Sequence, residues 1–185
     1  MPPPTPIETP RLVLREFEPD DWAAVHTYAV LEPVWRYMEW GPNTEADTKS
    51  FVALAIARRE ERPRTFFELA ITRRDTGELV GAAGVRLRDA ANRSGDLGYA
   101  LRPDHWGRGF GTEAALALRD FGFASIGLHR LWATCRPENT ASAHVLEKIG
   151  MRREGHLRET KCRHGKWVDS LLFAMVETDP RPPGR

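Results

Sequence analysis

Three glycines ahead of a helix-forming run constrain this chain more than any other feature. In the stretch "PDHWGRGFGTEA" (103–114), Gly107, Gly109 and Gly111 alternate with larger residues, and helix formers follow. The first N–H groups of a helix have no intrahelical partner and carry the positive end of the helix dipole, so they bind anions. Because glycine lets the backbone approach a ligand closely, the stretch predicts an anion site at a helix start.

Candidate anions differ in the loop that each requires. A nucleoside triphosphate needs G-x-x-x-x-G-K-[ST], which the chain lacks. Gly109, Gly111 and Ala114 satisfy the dinucleotide string G-x-G-x-x-A, but "PDHWGR" separates them from Leu101, where the preceding strand is predicted to end. The dinucleotide fingerprint follows directly on its strand, so that ligand is disfavoured. The pyrophosphate of coenzyme A and a solvent-filled turn remain.

Hydrophobic periodicity predicts seven strands and four helices in a non-repeating order. Asp20 is predicted to cap the first helix, and Thr44 with Asp47 to form a capping box on the second. The third follows the glycines and ends at Gly127, and the fourth covers 140–149. A mixed α/β or α+β sheet follows, not a repeating βαβ fold. The predicted strands are Leu12–Glu16, Phe66–Ile71, Leu79–Leu87, Asp96–Leu101, Leu131–Cys135, Met151–Lys161 and Trp167–Val176.

Length and charge indicate one domain that binds neither nucleic acid nor membranes. The 185 residues carry a formal net charge of +1, which gives no global attraction to either surface. We place the domain at 8–178, between flexible proline-rich tails at 1–7 and 179–185. No signal peptide or spanning segment is visible.

Cysteine and histidine usage indicates a cytoplasmic protein without a metal. Cys135 and Cys162 are the two cysteines, and they fit neither a disulfide framework nor a clustered metal site. The six histidines are scattered, with no metal-ligand spacing among them.

A second motif decides among the anions. "RPENTASAHVLEKIGM" (136–151) places Asn139 at a helix start, then a serine on the helix, then a glycine and an apolar residue. Together with the glycine loop, it resembles the GNAT superfamily of acetyl-CoA-dependent N-acyltransferases. More closely it resembles the branch of ribosomal-protein-alanine N-acetyltransferases of the RimJ/RimL type. The same branch is suggested by "ETPRLVLREF" (8–17), "RYMEWGP" (36–42), "GYALRPDHWGRGFGTEA" (98–114) and "HGKWVDSLLFAM" (164–175).

The resemblance implies a fold, a reaction and a cofactor site. The implied fold is a mixed, mainly antiparallel sheet of about seven strands with splayed middle strands, flanked by about four helices. The implied reaction moves acetyl from acetyl-CoA directly to a primary amine, with homodimers common among relatives. Trp106 stands where the superfamily loop has Gln or Arg, so we expect it to pack. The implied contacts to acetyl-CoA are Leu101, Gly107, Arg108, Gly109, Phe110, Gly111, Thr112, Asn139 and Ser142.

The proton donor to the departing thiolate is not the tyrosine found in many superfamily members. That position, counted from Asn139, is Leu146, which cannot donate. Ser142 lies one turn earlier on the same side of the helix, and the resemblance makes it the candidate acid. The alternative is that Ser142 only bonds its own helix backbone or the cofactor.

Four residues are candidates for the base that deprotonates the amine: Glu68, Asp96, His105 and His144. We favour Glu68 because it interrupts an apolar run, "TFFELAI", where burial would raise its pKa. A solvent-facing strand position is the simpler interpretation of Glu68, and a loop-edge acid that of Asp96. His105 and His144 rank lower, and we expect His105 to lie at the surface.

Aromatic residues between the first two helices are the candidate acceptor site. Trp35, Tyr37 and Trp40 lie where acceptors bind in this family, although they could equally cap the core. The acceptor is then a protein N-terminal residue or a small amine such as an antibiotic, polyamine or amino acid. A coenzyme A-binding protein with little catalysis is the further alternative. Neither cysteine has a basic partner in a recognisable pattern, which disfavours an acyl-cysteine intermediate.

Overall fold

Eight strands and five α-helices make up the part of the chain described by the structure, a computed structural model that covers residues 6–163 and 165–181. The strands are β1 (Ile7–Glu8), β2 (Leu12–Glu16), β3 (Phe66–Arg73), β4 (Leu79–Asp89), β5 (Ser94–Leu101), β6 (Arg130–Cys135), β7 (Arg152–Arg163) and β8 (Lys166–Val176). The helices are α1 (Asp21–Ala29), α2 (Glu32–Trp35), α3 (Glu45–Ala57), α4 (Phe110–Phe121) and α5 (Thr140–Lys148).

The strands form one sheet in the order β1-β2-β3-β4-β5-β6-β8-β7. Every neighbouring pair is antiparallel except β5 and β6, which are parallel. Strand alternation sends neighbouring side chains of β3 to opposite faces. Leu69 and Ile71 join a core cluster with α4 and α5, whereas Ala70 joins a second cluster with α1 and α3. Helices therefore cover both faces of the sheet.

The middle of the sheet opens between its two parallel strands. β5 and β6 pair only through 94–96 and 130–132, although β5 continues to Leu101 and β6 to Cys135. Beyond Asp96 and Trp132 the two strands diverge. This confirms the splayed, mainly antiparallel sheet expected from the resemblance, and it leaves a slot that reaches both faces.

Helix starts follow the sequence signals fully in one case and in position only in another. Thr44 and Asp47 form a reciprocal capping box on α3, as predicted. Asp20 occupies the N-cap position of α1, as predicted, but its side chain makes no capping hydrogen bond. The neighbouring Asp21 instead accepts from the Glu18 N–H, because its carboxylate points back over the chain entry.

Two elements exceed the predicted counts, and both are short. β1 pairs Ile7 with Leu14, so Ile7 belongs to the sheet and not to the tail that we assigned to 1–7. α2 is a single turn that starts around a proline. Residues 1–5, 164 and 182–185 lie outside the described part, as do the tail predictions that fall on them. In the described part, no helix is both long and apolar enough to span a membrane.

Candidate active site

A cavity of about 770 Å³ lies at the splay between β5 and β6. Its lining brings together candidates from three distant parts of the sequence, all of which the sequence analysis identified: Tyr37, Trp40, Glu68, Asn139 and Ser142. The cavity is therefore the place where the candidate acid, base and acceptor residues meet.

Glu68 reaches this cavity across a row of glycines. It pairs with Gly84 on β4, which pairs with Gly98 on β5, so the three positions lie side by side on one face. A Cβ added to Gly84 would lie 3.2 Å from Glu68 Oε2, which shows that the carboxylate extends over that glycine. Burial raises the pKa of Glu68 to about 7, although the charges of Arg86 and Arg58 oppose that shift. Glu68 accepts no hydrogen bond from a described residue.

Asp96 also lines the cavity, but its carboxylate has two cationic partners. It is 3% exposed, and it pairs with Arg86 through Oδ2 and with Arg88 through Oδ1, the latter at 2.6 Å. These two ion pairs connect β4 to β5 immediately before the splay. Asp96 thus holds the sheet together where the slot begins, and this distinguishes it from the unpaired Glu68 as a candidate base.

Ser142 on α5 lies beside a tyrosine that the sequence analysis did not identify. The Tyr99 hydroxyl is 3.3 Å from Ser142 Oγ, and burial raises the pKa of Tyr99 although that hydrogen bond opposes it. The Ser142 N–H donates to Asn139 Oδ1 at 3.1 Å, which caps the helix as its sequence position suggests. Leu146 is fully buried. Strand alternation around Gly98 could have indicated that Tyr99 faces α5.

The slot lets the two faces of the sheet meet. Glu68 and Gly98 lie on the face that α1 and α3 cover, and Tyr99 lies on the face of α4 and α5. In a continuous sheet these groups would be separated by the backbone. Because β5 and β6 diverge, a group on each face can reach the same cavity.

The glycine loop has the backbone conformation that an anion site requires. Gly107 and Gly109 have φ of +71° and +81°, in the left-handed region that favours glycine. Gly109 is the N-cap of α4, so the unpaired N–H groups begin at Phe110. A Cβ added to Gly111 would lie 3.8 Å from the Tyr99 ring, which places the loop next to the pair formed with Ser142. The residues predicted to hold the pyrophosphate, Gly107, Arg108, Gly109, Phe110, Gly111 and Thr112, all lie at this helix start.

An arginine from the N-terminal strand region supports the loop from outside. Arg11 Nη1 donates to the Arg108 carbonyl at 2.8 Å, and its guanidinium lies 4.7 Å from the centre of the Phe110 ring. Its Nε pairs with Glu113 Oε2 at 2.7 Å, and Glu113 also accepts from Thr9 Oγ1. These contacts fix the first turn of α4 and were not predicted, because they join residues about a hundred positions apart.

Two residues of the loop are placed differently from expectation. Trp106 is 46% exposed and does not pack in the core; its Nε1 donates to the Leu101 carbonyl at 2.9 Å and closes the loop back onto β5. His105 is 3% exposed, so the expectation of a surface histidine is wrong. Its ring stacks on Phe110 and its Nδ1 lies 3.0 Å from Asp104 Oδ1, which keeps it beneath the loop and away from the cavity lining.

Two of the three predicted acceptor aromatics line the cavity. Tyr37 and Trp40 do so, and Trp40 is 37% exposed. Trp35 does not. It lies against Gly41, where an added Cβ would come within 2.4 Å of the Trp35 Cβ. The prediction for this cluster therefore divides into two cavity residues and one packing residue.

The β7–β8 hairpin closes the same end of the cavity. Lys161 forms an ion pair with Glu39, and Arg163 Nη2 donates to the Met38 carbonyl at 2.6 Å. Both cations line the cavity. The loop that carries Tyr37 is thus held by residues from the C-terminal part of the chain.

The remaining candidates offer no second catalytic centre. His144 is exposed on α5 and lies outside the cavity lining. Cys135 lines the cavity, but burial raises the pKa of its thiol to about 11, and Cys162 is exposed and also a free thiol. Among residues 6–163 and 165–181, no group of three His, Cys, Asp or Glu side chains could hold a metal.

Comparison with known proteins decides the family. Residues 11–152 match the family described as "Acetyltransferase (GNAT) domain". The chain belongs to the GNAT acetyltransferases. The predicted GNAT fold and the predicted N-acetyltransferase activity are confirmed by this match and by the relatives below.

Similar GNAT proteins cover nearly the whole chain. The uncharacterized N-acetyltransferase YnaD of Bacillus subtilis is 35% identical over 173 residues, which are 94% of this chain and 98% of YnaD. The crystal structure of a GNAT-family acetyltransferase from Bacillus anthracis has a TM-score of 0.83 at 33% identity and covers 95% of this chain and 100% of its own. Mycobacterium smegmatis RimJ, solved in complex with CoA-disulfide, has a TM-score of 0.78 at 28% identity and covers 90% of this chain and 82% of its own.

Proposed function

We propose that this N-acetyltransferase moves the acetyl group of acetyl-CoA directly to a primary amine. The observation that carries the proposal is the meeting of Glu68 and Ser142 in one cavity from opposite faces of the sheet. A base and an acid must reach the two sides of one reacting carbonyl, and a slot between splayed strands supports that arrangement.

The residues around the slot fit coenzyme A. The pyrophosphate would bind the unpaired N–H groups from Gly107 to Thr112, where positive φ angles open the backbone. The exposed side chain of Arg108 would add a cation at the rim. The backbone of Leu97–Leu101 would run beside the pantetheine arm, with Asn139 on the other wall. When bound, acetyl-CoA supplies an acetyl group activated as a thioester.

In the proposed reaction Glu68 takes the proton and Ser142 returns one. With a pKa of about 7, the Glu68 carboxylate can accept a proton from the ammonium form of the acceptor near neutral pH. The amine nitrogen then bonds to the acetyl carbon as the carbon–sulfur bond breaks. Ser142 Oγ donates a proton to the departing sulfur and regains one from the positively charged amide nitrogen, so CoA leaves as the thiol and the amide leaves neutral. Glu68 returns its proton to solvent, and Tyr99 supports the serine hydroxyl from 3.3 Å.

Transfer is proposed to be direct because the cavity cysteine is a poor nucleophile. The pKa of about 11 keeps the Cys135 thiol protonated near neutral pH, and the thiolate is the reactive form. An acyl-cysteine would therefore form slowly.

The proposed acceptor is a primary amine that enters between Tyr37 and Trp40. A protein N-terminal residue, as in the ribosomal-protein-alanine type, and a small amine such as an antibiotic, polyamine or amino acid are the two classes to be separated.

Thiol release from acetyl-CoA tests the proposal with both classes. We expect release that depends on an amine, with N-terminal peptides and small amines assayed side by side. Glu68→Gln and Ser142→Ala should each lower kcat by about 100- to 10,000-fold, the range of a general acid or base. Thiol release that is independent of every amine, or an unchanged kcat in Ser142→Ala, would contradict the assigned chemistry.

We also propose that the enzyme is a cytoplasmic homodimer. β7 is an edge strand with an exposed surface, and the hairpin exposes Leu157 and Trp167, the latter at 63%. Two free thiols suit a reducing compartment. Light scattering on the purified chain should give twice the mass of 21.0 kDa, and a mass of one chain would contradict the dimer.

A further inference from the structure

One nitrogen of the Arg136 guanidinium is buried without a hydrogen-bond partner among the described residues. It follows β6 directly and lines the cavity between Cys135 and Asn139. Its Nη1 is buried and has no hydrogen-bond partner in the part of the chain that the structure describes. Burying an unpaired donor of a charged group is costly, so such atoms call for a ligand or a water.

A second guanidinium in the cavity, that of Arg163, interacts electrostatically with Arg136. The pKa of Arg163 is lowered, first by burial and then by the positive charge of Arg136. Arg163 donates to the Met38 carbonyl, which leaves its charge uncompensated by an acid among the described residues. Two like charges near one another in a cavity favour binding of an anion between them.

The acidic residues of the lining do not supply that anion. Glu39 pairs with Lys161, Asp96 pairs with Arg86 and Arg88, and Asp47 accepts from Thr44 in the capping box. Glu68 is the fourth acid of the lining, and the positive charges that lower its pKa are those of Arg86 and Arg58. A polyamine would need several unengaged carboxylates here, and the lining offers one.

We propose that the acceptor is a small primary amine that also carries a carboxylate, as an amino acid does, and that Arg136 and Arg163 bind this carboxylate. The inference rests on the proposed acetyl transfer and specifies its substrate class. A guanidinium binds a carboxylate through two parallel hydrogen bonds, which would satisfy the buried Nη1 and relieve the repulsion between the two arginines. The amine of the same molecule then remains for Glu68.

Matched acceptor pairs test the inference with the wild-type enzyme. L-amino acids are compared with their amides, which keep the α-amine and replace the carboxylate by a neutral group. We expect kcat/KM to be about 10- to 100-fold higher for the acids, as expected for loss of a charge-assisted hydrogen-bond pair. The amine of the amide is less basic, so a larger fraction of it is neutral and reactive near neutral pH. Basicity alone would therefore give the amide the higher kcat/KM. Equal values for acid and amide would overturn the inference and leave the proposed acetyl transfer intact.

Variants assign the preference to the two arginines. Arg136→Gln and Arg163→Gln should raise KM for the amino acid about tenfold or more and leave KM for the amide unchanged. Arg136→Lys keeps the charge and loses the planar fork, so it should fall between wild type and Arg136→Gln. Arg158→Gln, an exposed arginine on β7, is the control and should match wild type. A raised KM for acetyl-CoA in Arg136→Gln would assign the arginine to the cofactor and overturn the inference.

A binding measurement separates this inference from the catalytic proposal. In the presence of CoA, a preferred amino acid should raise the melting temperature of wild type, and its amide should not. If no amine is acetylated, the proposed function fails, and this shift still decides whether the anion site exists. Equal shifts with acid and amide, or equal shifts in wild type and Arg136→Gln, would overturn it.

Discussion

At the residue scale, Glu68 links the chemistry of the site to its burial. Its pKa is raised from 4.5 to about 7, so the protonated form is favoured by folding. The stability contributed by protonation is present below about pH 4.5 and is lost as pH rises through 7. We expect Glu68→Gln to be more stable than wild type by on the order of 3 kcal/mol at pH 8, and nearly equal to it at pH 4.5.

Chemical unfolding at the two pH values measures this difference in the free energy of unfolding. The pH dependence of kcat/KM measures the ionisation of the base. The wild-type kcat/KM should rise with pH to a plateau above about 7, because the base must be ionised. This rise of kcat/KM with pH, the acidic limb of the pH profile, should disappear in Glu68→Gln. Equal stability of the two proteins at pH 8, with the limb retained, would remove Glu68 as the base.

The Tyr99–Ser142 pair gives a second prediction at this scale. Tyr99→Phe deletes the hydroxyl that lies 3.3 Å from Ser142 Oγ and keeps the ring that packs near Gly111. We expect kcat to fall about tenfold because the serine loses its supporting partner, and KM for acetyl-CoA to change little. If Tyr99 only fills space, kcat will stay at the wild-type value in steady-state assays.

What the sequence could reveal about single residues depended on local context. Glu68 was predictable because an acid inside an apolar run is unusual, and Ser142 because a helix motif places it. Tyr99 and Arg11 were missed because the side chains or carbonyls that they bond lie at least 43 residues away. Arg136 was missed because its buried Nη1 has no hydrogen-bond partner among the described residues, and no local pattern records such a position.

At the element scale, the slot depends on Gly98 lacking a side chain. A Cβ at this glycine would meet nothing within 4 Å, and the residue lines the cavity on the diverging part of β5. Gly98→Val should therefore fold with an unchanged melting temperature, since valine suits a strand. We expect its KM for acetyl-CoA to rise at least about tenfold, because the branched side chain would occupy the slot.

Gly155→Val is the matched control on β7. An added Cβ there makes only ordinary contacts, 3.7 Å from Leu157, and the position is outside the cavity lining. Calorimetric titration with CoA compares the two variants. Wild-type affinity in Gly98→Val would mean that the arm does not pass this strand.

The first turn of α4 gives another prediction for an element. Glu113 accepts from Thr9 Oγ1 at 2.7 Å and from the Arg11 N–H at 2.8 Å, and it pairs with Arg11 Nε. Burial opposes ionisation, but these hydrogen bonds hold the pKa of Glu113 below its usual value. Its contribution to stability is therefore present above about pH 4.5 and lost as pH falls through the lower folded pKa.

Glu113→Gln should lose about 1–3 kcal/mol at pH 7, as expected for hydrogen bonds to a charged group. The deficit should shrink below pH 4, which urea unfolding can follow. Glu8→Gln is the control, since its exposed pair with Arg74 is worth about 0–1 kcal/mol. Equal losses in the two variants would mean that the Glu113 contacts add no more than a surface pair.

The elements themselves were largely predictable because each carries a periodic or capping signal. The long strands and the capping box at Thr44 follow from residue order alone. β1 and α2 were missed because a strand of two residues and a helix of one turn are too short to show a hydrophobic periodicity. The N-cap position of Asp20 was predictable, but the sequence could not show that Asp21, and not Asp20, accepts the nearby backbone N–H of Glu18.

At the scale of the whole molecule, the cavity joins segments that are distant in sequence. Its lining runs from Val25 to Ser170. The resemblance to a family supplied this arrangement, whereas periodicity and composition could not place Lys161 next to Glu39. Substrate choice therefore depends on contacts that form only after the sheet is complete.

The Glu39–Lys161 ion pair is the clearest of these contacts. It joins residues 122 positions apart and holds the Tyr37–Trp40 loop against the β7–β8 hairpin. Both side chains are partly exposed, at 65% and 37%, so the pair adds at most about 1 kcal/mol to stability. Burial lowers the pKa of Lys161, which further limits that contribution. Its expected role is to position the loop.

Lys161→Met keeps the apolar stem and removes the ammonium, which should free the loop. We expect the acceptor KM to rise about 3- to 10-fold, with the melting temperature and the KM for acetyl-CoA unchanged. Lys166→Met, an exposed lysine on β8 of the same hairpin, should behave as wild type. Glu39→Gln should reproduce the effect, and the double variant should add nothing to it, because one pair is lost in all three. Additive effects would show that each residue contacts the acceptor separately.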